Sequence, residues 1–114
     1  MRKFAHKRKT LVLAIVATDN TFLLQDGEWV GKCIHCNTKL TVTVNGNTDA
    51  TIEHIVPKSK GNQNDDLLTL ALACKRCNWG KGIRHDKHVG KGGRADEVIK
   101  TLKAKRAERW RDYE

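Results

Sequence analysis

Two cysteine pairs, Cys33-x-x-Cys36 and Cys74-x-x-Cys77, are residues whose type and spacing can do chemistry. A spacing of two lets a tight turn aim both sulfurs at one point, and four thiolates at about 2.3 Å from one ion form the closed tetrahedral shell of a structural zinc site. Two disulfides, a redox-active pair or an iron–sulfur cluster would draw on the same four residues. Zinc is the preferred reading, because disulfides need an oxidising compartment and a redox motif leaves one of the pairs without a purpose. The ion would tie residues 33–36 to 74–77 and supply much of the folding energy that a thin core lacks.

Inside that loop lies Glu53-His-Ile-Val-Pro57, followed by Lys58-Ser-Lys-Gly61, and the second pair runs on as Cys74-Lys-Arg-Cys-Asn-Trp-Gly-Lys-Gly82. Taken singly, each has a plain structural explanation: a histidine on a strand is more often a satisfied structural residue than a catalyst, and an acid beside it is usually solvated. Together, Glu53, His54 and Asn78 bring a carboxylate, an imidazole and a carboxamide to one zinc crosslink, among lysines. That is an inventory for hydrolysing a phosphodiester with a hard metal ion. The other histidines read differently. His35, in a knuckle already furnished with four sulfurs, is a bystander; His85-x-x-His88 is an exposed pair at the edge of a glycine-rich linker; His6 belongs to a basic arm.

The chain that must position these groups has 114 residues, 39% hydrophobic and 5% aromatic, with a single proline. That is one small domain, which excludes large multi-site enzymes, long repeat arrays and collagen-like or Pro-rich disordered chains. A net charge of +9 and a pI near 9.7 imply a polyanionic partner. The charge is uneven, since residues 1–9, 58–85 and 86–114 are basic and residues 10–57 acidic. A cation site with phosphates held around it would have this distribution, and so would a solvated surface. The apolar run Leu11–Ala17 is far too short for the ~20 residues of a membrane helix. Preceded by Arg2, Lys3, Lys7, Arg8 and Lys9, it has some look of a secretory signal, but no small-x-small cleavage site follows. A buried N-terminal helix is the better account.

Stepping outward, residues 10–24 form the first expected element, ending before the turn-like Gln25-Asp-Gly27. Leu40–Val44 alternates with period two, as a strand does. Asn45-Gly46 is a pair favoured in tight hairpin turns, so Thr51–Val56 is the expected return strand, stopped by Pro57 and carrying His54 near its end. Residues 58–64 have the composition of an exposed loop, and Asp65–Cys74 suits either a helix or a short strand. After the linker His88–Gly93, Ala95–Tyr113 is an expected helix with Asp96 and Glu97 in its first turn and Val98, Ile99 and Leu102 as its apolar stripe. Its bases, Lys100, Lys103, Lys105, Arg106, Arg109 and Arg111, are read as a nucleic-acid face in preference to a merely solvated one.

At this point residues 29–84 resemble the HNH endonuclease family in its zinc-stapled branch, whose pattern is CxxC, then (D/E)HIxPxSxGG, then NLxLACxxCNxxKG. Order, spacing and the intervening Pro, Ser and Gly all match. The resemblance implies an α+β fold: a small zinc-stabilised β-β-α metal finger, treble-clef-like, with flanking N- and C-terminal helices. The expected layout is a basic arm at 1–9, the nuclease domain at 10–86, and a linker with a basic helix at 87–114. It makes Leu70–Ala73 the second strand and Lys75 onward the helix. Carried over residue by residue, Cys33, Cys36, Cys74 and Cys77 hold structural zinc, Glu53 and Asn78 hold a catalytic divalent ion (magnesium, manganese or nickel), and His54 is the general base. The chain departs from the pattern where Glu53 replaces the more usual Asp, where Thr69 occupies the place of the middle Asn that braces the loop after the histidine strand, and where that loop is one residue longer. Asn62, Asn64, Asp65 or Asp66 are candidates to take over the bracing.

The implied reaction is hydrolysis of DNA to 5′-phosphate and 3′-hydroxyl ends, in a bacterial or phage-infected cytoplasm, by a protein of a phage, a mobile element or a defence system. Lys58, Lys60, Lys75, Arg76, Lys81 and Arg84 lie close in sequence to the site and can contact the phosphates of nucleic acid, double-stranded DNA foremost. Such contacts position a duplex without reading its bases. The alternative is a non-catalytic zinc-dependent nucleic-acid-binding module in which Glu53 and His54 are structural.

Overall fold

The computed structural model describes residues 2–56, 66–77 and 94–112. Its first element is helix α1, Arg2–Ala17. The residues expected as a basic arm are therefore helical, because Lys and Arg are good helix formers and no Gly or Pro separates them from the apolar run. Val12, Ile15 and Val16 are fully buried, an i, i+3, i+4 stripe that seats α1 on the core. The helix stops at Thr18, whose hydroxyl turns back to the carbonyls of Ala14 and Ile15 at 2.9 and 3.2 Å.

Three strands follow as an antiparallel sheet in the order β1-β2-β3: Leu23–Gln25, Glu28–Lys32 and Lys39–Thr43. The first element expected at 10–24 thus divides into a helix and a strand. The turn between β1 and β2 has two residues, Asp26 and Gly27, at φ 51° and 81°, the twist a two-residue hairpin requires. At Gly31 the ring of Phe22 lies against the backbone where a side chain would stand, so that position admits only glycine without a shift. Leu40 and Val42 face the core while Thr41 faces out, the alternation read from the sequence.

The expected hairpin between Leu40–Val44 and Thr51–Val56 does not form. The Asn45-Gly46 turn exists, with Gly46 N–H bonded to the carbonyl of Thr43 at 2.9 Å, but it closes only a local loop. Strand β3 pairs with β2, and strand β4, Thr51–His54, pairs with β5, Leu70–Ala73, in a separate two-stranded sheet. Every residue of β5 is buried, so this Leu-Ala-Leu-Ala segment needs cover on both faces, and α1 packs against it. Long-range packing, not the nearest tight turn, decides the strand partner here.

A 3-10 turn at Leu67–Thr69 leads into β5, and residues 75–77 are helical. The last element, α2, spans Arg94–Glu108 and has Asp96 and Glu97 in its first turn, as the sequence implies. Leu102 buries against the core while Val98 and Ile99 are half-buried.

Candidate functional site

The knuckle Cys33–Cys36 sits between β2 and β3. Cys33 N–H bonds to the carbonyl of Thr38 at 2.9 Å and Asn37, at φ 65°, turns the chain back. The sulfur of Cys33 accepts the backbone N–H groups of His35 at 3.3 Å and of Cys74 at 3.4 Å, which ties the two cysteine pairs before any ion is considered. Cys74 follows β5 directly, and the helical residues 75–77 bring Cys77 back toward it.

All four sulfurs lie within 4.8 Å of one another, with Cys36 and Cys74 3.9 Å apart. Ligands at about 2.3 Å in a tetrahedron stand about 3.8 Å from each other, so the four cysteines could hold a zinc ion with little movement. Their electrostatics point the same way. The Thr38 hydroxyl and backbone, and then the Cys77 thiol, pull the Cys36 thiol down to about 6. Burial and the neighbouring thiols Cys36 and Cys74 push Cys77 up to about 12. Four thiolates repel at this distance, and a divalent cation removes the conflict.

Glu53 and His54 are consecutive on β4, opposite Ala71 and Leu70, and so face opposite sides of the strand. Glu53 is 1% exposed; His54 is half-buried. The Glu53 carboxylate meets His35 Nε2 at 3.0 Å. The sequence treats His35 as a bystander; the structure corrects this, because the spare imidazole of the knuckle turns onto the acid of β4. The only signal for it in the sequence is that a knuckle with four sulfurs has no use for His35 as a ligand.

Thr69 is buried, and its hydroxyl and N–H both donate to the carbonyl of Asp66, at 2.7 and 2.9 Å. Its own carbonyl accepts the N–H of Ile55 at 2.9 Å, which extends the β4–β5 pairing past His54. Asp66, one of the residues expected to help brace this region, caps the turn through its carboxylate, which accepts Leu68 N–H at 3.1 Å.

Lys75 and Arg76 are exposed on the helical turn after Cys74. A cleft of about 270 Å³ beside Cys74 is lined by Lys39, Thr41, Thr48, Asp49 and Lys75 among others, which adds Lys39 to the bases near the four-cysteine cluster. Asn78, Lys58, Lys60, Lys81 and Arg84 lie outside the described residues, as do His85 and His88.

The basic residues of α2, which ends at Glu108 and not at Tyr113, and of the segment just after it do more structural work than the sequence implies. Lys105 donates to the carbonyls of Ile34 and His35, at 3.3 and 3.5 Å. Arg109 donates to the carbonyls of Lys32 and Cys33 and, at 2.7 Å, to Asn37 Oδ1. Arg106 is fully buried, and burial lowers its pKa despite Asp19 nearby. Lys100 and Lys103 remain exposed. Arg111 donates to the carbonyls of Val16, Ala17 and Phe22, so the expectation of a basic nucleic-acid face narrows: Lys105, Arg106, Arg109 and Arg111 hold the knuckle and the core instead.

No helix among the described residues is long and apolar enough to cross a membrane. Compared with known protein families, residues 33–92, more than half of the chain, match the model described as HNH endonuclease. No curated protein and no solved structure matches the chain.

Proposed function

The chain belongs to the HNH endonuclease family, and on that premise we propose that it is a divalent-metal-dependent endonuclease hydrolysing phosphodiester bonds of DNA. The observation that carries the proposal is the placement of Glu53 and His54 as neighbours at the end of β4, the acid buried against His35 of the first cysteine knuckle and the histidine half-buried. In this reading the cysteines hold structural zinc, and Glu53 with Asn78 holds the catalytic ion. A carboxylate and a carboxamide oxygen are the hard donors that magnesium and manganese prefer.

A divalent ion bound there supplies positive charge that stabilises the leaving oxygen. The remaining work falls to side chains. His54 accepts the proton of the attacking water, on the face of β4 away from Glu53. Thr69 steadies the chain just beyond His54 through its carbonyl. Lys75 and Arg76, with Lys58, Lys60, Lys81 and Arg84, neutralise phosphates on either side of the cleaved bond.

One observation favours the alternative of a non-catalytic nucleic-acid-binding module: Thr69 spends its hydroxyl on Asp66 and has no amide to offer the loop after His54. A plasmid assay separates the two. Supercoiled plasmid is cut with magnesium, manganese or nickel and spared with EDTA, and His54→Ala abolishes cutting while keeping zinc and DNA affinity. Intact plasmid with every divalent ion at low salt would establish the binding module, and normal cutting by His54→Ala would overturn the assignment of the base.

A further inference from the structure

We propose that His35 is a positioning residue for the second metal site: its imidazole, anchored by the zinc knuckle, fixes the Glu53 carboxylate for a divalent cation. The inference rests on the reading of Glu53 as a ligand of that cation.

Four sulfurs complete a tetrahedral zinc shell, so His35 has no ligand role there. Its side chain, only 19% exposed, is spent instead on Glu53, across 18 residues of sequence. A carboxylate ionised to hold a cation only accepts hydrogen bonds, and Nε2 is the atom placed to donate to it.

The backbone that carries the imidazole is held from three directions. His35 N–H bonds to the sulfur of Cys33, its carbonyl accepts from Lys105, and the preceding residue, buried Ile34, donates its N–H to the carbonyl of Leu72 on β5 at 3.0 Å. Strand β5 in turn pairs with β4 at Glu53. Donor and acceptor are thus fixed to the same sheet, and their separation is set by backbone on both sides.

Glutamate has one more rotatable bond than aspartate, so its carboxylate needs an additional restraint to stay in one orientation. A hydrogen bond to Oε1 restricts rotation of the carboxylate plane. Partners of this kind, one step removed from the metal, typically contribute about 10- to 100-fold in metal affinity.

The test is titration of Mn²⁺ into the zinc-loaded full chain, with free Mn²⁺ read by electron paramagnetic resonance. His35→Phe keeps a ring of similar size without the donor, and is expected to weaken Mn²⁺ binding by about 10- to 100-fold with one zinc retained. His35→Gln, which restores an N–H donor, is expected to recover part of the loss. Wild-type Mn²⁺ affinity in His35→Phe overturns the proposal, and so does loss of zinc from that variant, which would make His35 a support of the knuckle alone. Glu53→Gln keeps the two levels apart. If it binds Mn²⁺ as the wild type does, the ligand assignment beneath the proposal is wrong; if it alone loses Mn²⁺, only the role of His35 fails.

Discussion

Arg106 grips Thr18 from two sides: Nη1 donates to its carbonyl at 2.9 Å and Nη2 to its hydroxyl at 2.7 Å. The same guanidinium reaches the carbonyl of Leu70 through Nε at 2.7 Å and lies over the ring of Trp110, 5.3 Å from its centroid. One buried cation thus joins the end of α1, the start of β5 and the end of α2.

Arg106→Ala is therefore expected to destabilise the zinc-loaded protein by about 3–5 kcal/mol, as removal of one partner from a buried charged network does. Lys103→Ala, at an exposed position of the same helix, should change stability by no more than about 0.5 kcal/mol. Urea unfolding of both variants provides the check, and equal midpoints would show that the Arg106 network contributes no net stability.

Cys74→Ser removes one of the four sulfurs while keeping the backbone N–H that reaches Cys33 Sγ. Zinc measured by mass spectrometry on the purified protein should fall from one per chain to well below, and the soluble yield should fall with it. Full zinc content in this variant would refute the four-cysteine site.

Zinc uptake should release protons. A thiol held near about 6 is already largely ionised at pH 7, whereas Cys77, held near about 12, is protonated and must lose its proton to bind metal. Without metal, the low pKa of Cys36 favours the fold above its ordinary range and that gain fades as pH falls through about 6; the high pKa of Cys77 works against the fold as pH climbs from its ordinary value of 9.0 toward about 12. Apparent zinc affinity is expected to rise by at least about tenfold per pH unit from pH 7 to 8, one factor of ten for each proton displaced. Competition with a chelator of known affinity, run across that range, measures the slope, and a flat profile contradicts it.

Lys75→Ala and Arg76→Ala should weaken DNA binding to a similar degree on unrelated sequences, and each should reduce the salt slope by about one. Fluorescence anisotropy on the His54→Ala background avoids cleavage during the measurement. A loss confined to one sequence would mean that these residues read bases.

The four-cysteine cluster is legible because its signal is local: two residues between cysteines, twice. The acidic first turn of α2 was legible for the same reason. Strand β5 was legible only through the family pattern, since Leu70–Ala73 has no period of its own, and it is buried throughout. The partner of β4 was not legible, because Asn45-Gly46 reports a turn and says nothing of which strand the chain meets after it. The contact between His35 and Glu53 joins two stretches that no periodicity links. Arg106 and Arg109 look like surface charge in a basic helix, and only the carbonyls of Thr18, Leu70 and Cys33, brought near by the fold, make them structural.

The end of α1 has no basic residue of its own in its last turn. Its carbonyls at Val16 and Ala17 are met by Arg111, and that of Thr18 by Arg106, from positions 88 to 95 residues later in the chain. During synthesis these groups wait until residues 106 and 111 have emerged from the ribosome. A nascent chain that has made both cysteine pairs can capture its ion, yet its first helix stays without its partners until residue 111 is out. The order of translation therefore releases the four-cysteine cluster before the residues that complete the core around the end of α1.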